Sequence, residues 1–486
     1  MKSRTPVITN FGRDIRFRPR HWYAPRSEAE VLQILDRHAS GTVRVVGARH
    51  SWNPGIESDD AVIDLRHFDS VETSTSDDGT VWATVGGGCR LKTLLRRLRS
   101  QANVTLPSLG LITEQTIAGA IATGTHGSGK HSLSHYMEEI RVAAYHPESG
   151  RAMVYSWTGG PELRAARCSI GCMGVILSVR FRCVPRFLIA ESMERRTDLE
   201  AALSQEAAFP LQQFYLIPHL WGWYDQERRV DTGSRRRSRW APLYRLYWLA
   251  WLDVGFHLII KFLVSVLGRD GPVRGFYRQV FPLLVARTPP VSDWSEQQLI
   301  MEHELFRHLE IELFVAAPQL REAAAYVREV LEVFAGTGAI SGTLQTQLES
   351  VGMVARLEAL AGSFTHHYPI CFRRVLADDT MLSMASAADE SWYAISFITY
   401  VEPRDKFYGM ADFLAQSMAA LFRARPHWGK YFPLTGPAVE HLYPELATFR
   451  ALCRRVDPGG VFRNTFLERA LGFDAPPGAG AGDAGQ

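Results

Sequence analysis

The stretch Thr116-Ile-Ala-Gly-Ala-Ile-Ala-Thr-Gly-Thr-His-Gly-Ser-Gly129 is the most informative part of this chain. Its glycines and small side chains allow backbone N–H groups to approach an anion closely, which is what binding of a diphosphate requires. Two common nucleotide-binding motifs are absent from the sequence, namely G-x-x-x-x-G-K-[ST] and a strand-G-x-G-x-x-G-helix unit. The stretch therefore predicts either a phosphate cradle of another design or a glycine-rich loop without a ligand.

Composition favours a globular protein that binds small molecules. The chain has 486 residues, of which 46% are hydrophobic and 22% charged, as is ordinary for a protein of several domains. A formal charge of +3 is too weak to indicate nucleic acid as a partner. The Arg-rich start, Met1 to Pro25, has no apolar segment of a secretory signal. The six cysteines form no C-x-x-C pair. We expect a cytoplasmic protein with no metal site.

Short β-type runs alternate with helical patterns in the first third of the chain, which indicates an α+β fold. The leucines at 91, 94, 95 and 98 have the spacing of one helix face. Residues 175–183 alternate apolar and polar side chains, as a half-buried strand does. The expected strands lie at 43–46, 61–65, 80–85, 175–183, 305–314 and 392–400, and the expected helices at 28–38, 91–98, 318–334 and 405–424.

The segment from Trp240 to Leu267 is dense in Trp, Tyr, Leu and Ile, and it is long enough to raise the question of a membrane span. Four polar residues interrupt it on one helical stripe: Arg245, Asp253, His257 and Lys261. The cost of inserting them into lipid disfavours a spanning helix and favours an amphipathic one. Two interpretations remain open, a helix that packs in the protein core and a membrane-surface helix assisted by the basic run Arg235 to Arg239.

Several ordered motifs resemble one known superfamily. The segments Val46-Gly-Ala-Arg-His-Ser51, Gly110 through Gly129 and Gly171-Cys-Met-Gly-Val-Ile176 resemble the FAD domain of the vanillyl-alcohol oxidase superfamily. Within it, Arg425-Pro-His-Trp-Gly-Lys430 and Asp457-Pro-Gly-Gly-Val-Phe-Arg-Asn464 are similar to the aldonolactone and alditol oxidase branch. The resemblance covers nearly the whole chain and is weakest between Glu194 and Glu296.

This resemblance implies a specific domain organisation. A PCMH-type FAD-binding domain is expected over residues 14–186, followed by an α+β substrate cap domain on an antiparallel sheet over 187–420. The cap would contain the aromatic amphipathic insert at about 240–267. A C-terminal segment, 421–471, would return to the flavin. Residues 472–486 are rich in Pro, Gly and Ala and are expected to form a disordered tail.

The resemblance also implies which residues bind FAD. The histidine of the family's G-x-x-H-S motif forms a covalent bond to the flavin 8α-methyl carbon, and His50 occupies that position here. A neutral imidazole is a suitable nucleophile for this bond. The implied FAD-binding residues are Val46, Gly47, Ala48, Arg49, His50, Ser51, Gly110, Thr116, Gly119, Thr123, Gly124, His126, Gly127, Gly129, Gly174, Val175, Ile176 and Lys430.

On the substrate side, the resemblance implies two catalytic cations, Arg373 and Lys430, which would polarise the reacting hydroxyl and stabilise negative charge on the reduced flavin. Substrate contacts are implied for Thr116, Cys371 and Arg373. Each cation also has an alternative role: Arg373 could form a surface ion pair with Asp378 or Asp379, and Lys430 could be a solvated surface lysine.

One position departs from the family pattern. The family's Glu two residues before the catalytic Arg is Cys371 here, which removes an acceptor for substrate hydroxyls and indicates a substrate less polar than a sugar. Gly110 lies where the family's oxidases carry glycine and lactone dehydrogenases carry alanine. It therefore favours access of O₂ to the flavin, unless the glycine serves only a turn.

The implied reaction is oxidation of a CH–OH group by FAD, with O₂ as acceptor and H₂O₂ as product. A sugar-1,4-lactone of the D-arabinono or L-gulono type is the first substrate expected, and an alditol or a less polar alcohol is the alternative. Two other classes stay open. One is a membrane-linked dehydrogenase that passes electrons to a quinone or cytochrome, and the other is a flavin-binding protein without catalytic activity.

Overall fold

The fold brings two groups of sheets together around one cavity. The computed structural model describes residues 5–234, 236–267, 270–285, 288–301 and 307–473, the side chain of residue 252 excepted. Within these ranges the chain is α+β, as the sequence predicts.

The N-terminal part contains a parallel sheet and an antiparallel sheet. The parallel sheet has three strands in the order His21–Tyr23, Ala61–Asp64 and Val43–Val46. The antiparallel sheet has five strands in the order Ala152–Trp157, Met137–Tyr145, Val175–Arg182, Val81–Gly86 and Val71–Thr75. Short strand pairs are Ile8–Thr9 with Arg16–Phe17 and Val104–Thr105 with Val184–Pro185.

The helices of this part follow the expected periodicity closely. They are Glu28–Arg37, Leu91–Ala102, Ile117–Ala122 and Gly160–Arg167, with 3₁₀ turns at Pro54–Ile56 and Leu133–Tyr136. The first helix begins after Ser27, whose hydroxyl accepts the Glu30 amide proton at 3.2 Å. The second buries the four leucines of its predicted face and ends at Asn103 in the left-handed region.

A single antiparallel sheet of eight strands, called the cap sheet below, forms the second part. Its strand order is Thr288–Trp294, Leu188–Arg196, Gly222–Asp231, Gln213–Ile217, Ile370–Val375, Trp392–Tyr400, His308–Ala316 and Arg425–Pro426. The associated helices are Leu199–Leu203, Ser295–Gln298, Leu320–Phe334, Gly342–Ser350, Val354–Leu360, Arg404–Phe422, Gly436–Glu440, Leu446–Val456 and Thr465–Leu471, with a 3₁₀ turn at Ala317–Gln319. The last three helices return to the N-terminal part, where the Val43 amide donates to the Val461 carbonyl at 2.8 Å.

The aromatic insert forms two helical segments over the cap sheet. The first, Ala241–Ser265, is called the insert helix and comprises Ala241–Tyr247, the π-helical turns Trp248–Gly255, and Phe256–Ser265. The second comprises Asp270–Gly275, Phe276–Val280 and Phe281–Leu284. One face of the insert packs on the cap sheet in an apolar cluster: Met193, Ile217, Tyr224, Phe256, Ile260, Val273, Phe276, Tyr277, Phe281 and Tyr368. The other face of the insert is exposed.

The polar stripe of the insert helix turns inward. Arg245, Asp253 and His257 line the cavity, whereas Lys261 is exposed. Each step of four residues rotates the side chain by about 40° on an α-helix, so the stripe drifts and Lys261 leaves the cavity face. By length and composition alone, among the described residues, the insert helix is a candidate membrane span, with a mean hydropathy of 1.5 over its most apolar window.

Three expectations fall on residues outside the described ranges. They are most of the predicted disordered tail, from residue 474 onward, together with Arg235 of the basic run and Leu305 at the start of a predicted strand. The described end of the chain includes Gly472, which ends the last helix in the left-handed region with φ of 63°.

Candidate active site

A cavity of about 1250 Å³ lies between the N-terminal sheets and the cap sheet. Cavities that hold one drug-sized ligand have volumes of roughly 300–1,000 Å³. This cavity is therefore large enough for a cofactor together with a substrate. Its walls combine loops of the N-terminal part, one face of the cap sheet, the insert helix and the segment after the strand Arg425–Pro426.

The register of the cap sheet assembles the polar wall of this cavity. Residues directly opposite one another on neighbouring strands share a face of the sheet. One row contains Gln226, Gln213 and Arg373. The next row contains Tyr215, Cys371, Ser396 and Glu312. The two rows together span five strands of the sheet and place Arg373 and Cys371 near a buried glutamate.

Arg373 is held by groups of the cavity wall. Its Nε donates to Oε1 of Gln213 at 3.0 Å, and its Nη1 lies 3.6 Å from Oε1 of Glu312. The alternative pairing with Asp378 or Asp379 is wrong: Asp378 accepts from Ser132 and Ser383, and Asp379 pairs with Arg167. The Arg373 side chain is 15% exposed and lines the cavity.

Lys430 is also a cavity residue, so a solvated surface lysine is excluded. Its ammonium forms an ion pair with Glu310 and lies 4.5 Å from the centroid of the Trp52 ring. Burial alone would raise the pKa of Glu310, but the Lys430 charge and His308 outweigh it and hold that pKa well below its ordinary value. Glu310 therefore carries a negative charge that fixes the Lys430 ammonium over the indole.

Comparison with known proteins gives a consistent picture. The family described as D-arabinono-1,4-lactone oxidase matches residues 291–470, and the family described as FAD binding domain matches residues 19–144. A long-chain alcohol oxidase from an uncultured marine euryarchaeote is 45% identical over 96% of this chain and 98% of its own length. An alditol oxidase from a Streptomyces species is 24% identical, over 96% of this chain and 99% of its own. The chain belongs to the PCMH-type aldonolactone oxidase branch.

The solved structures agree at the level of the fold. Cholesterol oxidase from B. sterolicum superposes with a TM-score of 0.73 at 13% sequence identity, covering 96% of both chains. The expected FAD-binding domain and antiparallel cap are thus confirmed as the architecture. Membership of the branch makes this protein an FAD-dependent oxidase of the class that acts on CH–OH donors.

The residues at the N-terminal end of the cavity fit the diphosphate of FAD. The loop after the strand Val43–Val46 places Arg49 in the left-handed region, with φ of 61°. Within the described ranges, the amides of Ala48, Arg49 and Ser51 donate to no backbone carbonyl, so a bound anion can use them. Gly47 must be glycine, because a Cβ there would lie 2.4 Å from Oγ1 of Thr116. Thr116 caps the short helix Ile117–Ala122 at the same wall.

Most of the residues expected at the site line the cavity. They are Val46, Gly47, Ala48, Arg49, His50, Ser51, Thr116, Gly119, Thr123, His126, Gly174, Ile176, Cys371, Arg373 and Lys430. Five others do not line it: Gly110, Gly124, Gly127, Gly129 and Val175. Space explains the glycines, since a Cβ at Gly129 would lie 1.7 Å from the Pro210 carbonyl and one at Gly127 would lie 2.4 Å from the Leu109 carbonyl. These positions allow the loop to pack closely behind the cavity wall.

His50 has the properties of a neutral nucleophile. Its ring stacks on Phe11, with 5.0 Å between ring centroids. Burial, and next to it the positive charge of Lys430, lowers the pKa of His50 to about 4. The imidazole is therefore uncharged near neutral pH, as attack on an electrophilic carbon requires.

Three cavity residues on one strand of the cap sheet are not predicted from the sequence. His308, Glu310 and Glu312 lie on the strand His308–Ala316 and all line the cavity. Polar side chains alternate there with Leu309, Ile311 and Leu313, which are fully buried. The available signal was the alternation of charged and apolar residues along this strand. A strand with both faces buried carries charged side chains only where ion-pair partners or a ligand contact them.

One buried group in the described ranges has the composition of a metal site, although the sequence predicts none. Ligand atoms of His126, Glu312 and His427 lie within 4.8 Å of one another. Nδ1 of His427 accepts the Gly429 amide proton at 2.8 Å, and burial lowers the pKa of this ring to about 3. The neutral ring therefore carries its proton on Nε2, where it can donate to Glu312 but cannot bind a cation.

Proposed function

We propose that this protein oxidises an alcohol that carries a long apolar chain, with FAD as cofactor and O₂ as acceptor. The observation that carries the proposal is the shape of the cavity, which continues from Arg373 and Lys430 to the space beneath the insert helix. Apolar side chains line that space: Trp248, Leu249, Phe256, Pro369 and Ile398. A relative that is 45% identical bears the name long-chain alcohol oxidase, which supports the same substrate class.

Several groups of the polar wall near the reacting hydroxyl are not available to bind further hydroxyls. Cys371 stands where the family carries glutamate, and burial raises the pKa of its thiol, which stays neutral. Gln213 is engaged with Arg373 and with Gln226. Glu191 accepts from Arg228 and from Tyr244. A sugar would have to break these contacts, whereas an alkyl chain leaves them intact.

The chain's own residues provide orientation and charge. FAD, when bound, supplies the two-electron acceptor that oxidises the alcohol carbon and passes the electrons to O₂. Arg373 and Lys430 bind the alcohol oxygen and stabilise the negative charge that develops as its proton leaves. That proton is consumed again when O₂ is reduced to H₂O₂. Glu312 and Glu310 hold the two cations in place, since each carboxylate is buried beside its partner. The insert helix covers the chain of the substrate and excludes water.

The proposal includes covalent attachment of FAD through His50. Support comes from the position of His50 in the Gly47-Ala-Arg-His-Ser51 motif, from its place in the cavity wall and from its lowered pKa. A sugar-1,4-lactone is the second candidate substrate, because residues 291–470 match the D-arabinono-1,4-lactone oxidase family. The two candidate substrates differ in the number of hydroxyl groups to which the cavity must offer hydrogen bonds.

A chain-length series tests the substrate class. Anaerobic flavin bleaching is measured with primary alcohols of increasing length, an alditol and L-gulono-1,4-lactone. We expect kcat/KM to rise with chain length, since each buried methylene contributes about 0.8 kcal/mol, or roughly a factor of four. A lactone or alditol that bleaches the flavin faster than every alkyl alcohol would contradict the proposal.

Cys371→Glu is the matched variant for that series, with Cys371→Ser as its control. The glutamate restores a charged acceptor beside Arg373 and should shift the preference between polyol and alkyl alcohol by about 1–3 kcal/mol, or roughly 5- to 150-fold, toward the polyol. The serine keeps the size of the thiol and should leave the preference nearly unchanged. An equal effect of both substitutions would mean that Cys371 does not set the specificity.

Gly110→Ala is expected to slow reoxidation by O₂ while sparing reduction by the alcohol. Gly110 does not line the cavity, but an added methyl would lie 2.6 Å from Cγ2 of Thr125, which does. Thr125 must then move at the cavity wall. The double variant Gly110→Ala/Thr125→Ser removes the clashing carbon and should recover the reoxidation rate in stopped-flow mixing with O₂. Unchanged reoxidation in Gly110→Ala would remove the argument that Gly110 controls access of O₂. A wild type that reduces only a quinone or cytochrome would favour a dehydrogenase.

A further inference from the structure

The outer face of the insert is an extended apolar surface. Exposed large side chains recur along it: Trp240, Leu243, Leu246, Trp251, Leu258, Phe262, Val266 and Leu283. Leu243 is 57% exposed, Phe262 53% and Leu283 81%. Leu258, Phe262 and Val266 are spaced by four residues and so form one stripe of the insert helix. Single exposed apolar residues are ordinary, but a contiguous apolar surface of this kind marks a contact with a partner or with lipid.

Positive charges outnumber negative ones around this surface. Arg236, Arg237 and Arg239 are exposed just before the insert helix, and Lys261 is exposed on it. Asp253 is the only acidic residue in the sequence from 236 to 267, and it lines the cavity. A second copy of this chain would bring the same cations to the contact, so charge opposes self-association. An anionic lipid surface matches both the cations and the apolar stripe, and exposed tryptophans are typical of the membrane interface.

The same helix separates this surface from the active site. Pro242 and Leu246 line the cavity and are themselves exposed, so the cavity reaches the surface at the first turns of the insert helix. Arg245, Asp253 and His257 face the cavity from the inner side of the helix, where Nδ1 of His257 and the Tyr368 hydroxyl lie 2.8 Å apart. The cavity side of the helix therefore combines these three polar groups with the apolar side chains of Trp248, Leu249 and Phe256, whereas its outer side is apolar.

We propose that the outer face of the insert docks on an anionic lipid bilayer and that the alcohol enters the cavity from that bilayer, between the first turns of the insert helix and the cap sheet. The proposed docking rests only on the apolar surface and on the charged residues around it. The entry of the substrate also rests on the proposed function, because only an alcohol with a long chain partitions into lipid. The helix lies on the membrane with its inner polar groups still facing the site, and it does not cross.

Docking is tested by flotation of the holoenzyme with vesicles of phosphatidylcholine with and without phosphatidylglycerol. The wild type should float with the anionic vesicles and lose part of its binding at high salt, because the charged contribution is screened and the apolar one is not. Leu243→Glu/Phe262→Glu should weaken binding by about 100-fold or more, since burial of each such side chain accounts for at least about a tenfold change. Val230→Glu, an exposed apolar residue on the cap sheet, is the control and should bind as the wild type does.

A wild type that stays out of the floating fraction at low salt, or a double variant that floats equally well, would overturn docking. Binding to cell membranes that survives carbonate completely would show a spanning helix and would overturn the surface arrangement.

Entry from the bilayer is tested with the same variant, in which neither substituted residue lines the cavity. Oxidation of hexadecanol held in anionic vesicles should fall at least tenfold in Leu243→Glu/Phe262→Glu, whereas oxidation of hexadecanol in detergent micelles should remain. Equal loss in both media, or loss in neither, would overturn entry from the bilayer. If the wild type oxidises hexadecanol in neither medium, the proposed function fails and substrate entry fails with it, while the flotation result still decides docking.

Discussion

Replacing Lys430 with methionine is expected to slow reduction of the flavin by the alcohol about 10²-fold or more, the scale of losing one preorganised electrostatic contact in an enclosed site. Methionine keeps much of the side-chain length over the Trp52 ring but removes the charge. The rate is measured by anaerobic stopped-flow mixing, which isolates the chemical step from reoxidation. Lys430→Arg should retain more of the rate, because it keeps a cation in the cavity.

The matched control is Lys261→Met, which removes an exposed lysine of the insert helix and should leave reduction unchanged. Lys430→Met also leaves the buried carboxylate of Glu310 without its ammonium partner, and loss of one partner of a buried ion pair destabilises a protein by about 3–5 kcal/mol. The double variant Lys430→Met/Glu310→Gln removes that unpaired charge and separates folding from catalysis. Wild-type reduction kinetics in a folded Lys430→Met protein would exclude a catalytic role.

Replacing His50 with alanine is expected to abolish covalent flavin completely. After acid precipitation the wild type should keep its yellow colour in the pellet, and His50→Ala should release all of its FAD to the supernatant. The physical reason is that His50 is buried, uncharged near neutral pH and part of the cavity wall, which are the properties required of a residue that bonds the flavin. The bond also raises the potential of the flavin, so the variant should be reduced more slowly by the alcohol.

His135→Ala is the matched control. His135 lies outside the cavity, so this variant is expected to keep its flavin through precipitation. Full release of FAD from the wild type, or retention by His50→Ala, would show that the cofactor is not attached at His50. Noncovalent binding by the loop and the Gly-rich stretch would still hold FAD in the variant, because that binding uses backbone groups.

The sequence was sufficient to predict the fold, and most of the residues that it proposes for the cofactor line one cavity. Motifs such as Gly47-Ala-Arg-His-Ser51 and the stretch ending at Gly129 depend on local backbone conformation, so the cofactor contacts proposed for them follow from neighbouring residues. The same holds for the helix Leu91–Ala102, whose buried leucines follow from spacing alone. Five predicted cofactor residues lie behind the cavity wall. A sequence motif does not show which of its residues face the ligand and which pack against the rest of the protein.

The substrate end depended on contacts between distant segments. Glu310 and Lys430 are 120 residues apart, and their ion pair exists only because the strand His308–Ala316 lies beside the strand Arg425–Pro426 in the cap sheet. The alternative role of Arg373, an ion pair with Asp378 or Asp379, fails for the same reason: these residues are near in sequence, but the strand order brings Glu312 closer.

The insert shows most clearly what each level of structure decided. By itself, the sequence determined that residues from Trp240 to Leu267 form an amphipathic helix, because periodicity is a property of neighbouring residues. Only the tertiary structure decided that three of its polar groups face the active-site cavity and that much of its apolar surface faces outward. The reason is that a periodic pattern defines two faces of a helix but does not say which of them meets the protein. That choice follows from what the cap sheet presents beneath the helix, and the cap sheet is assembled from strands far apart in the chain.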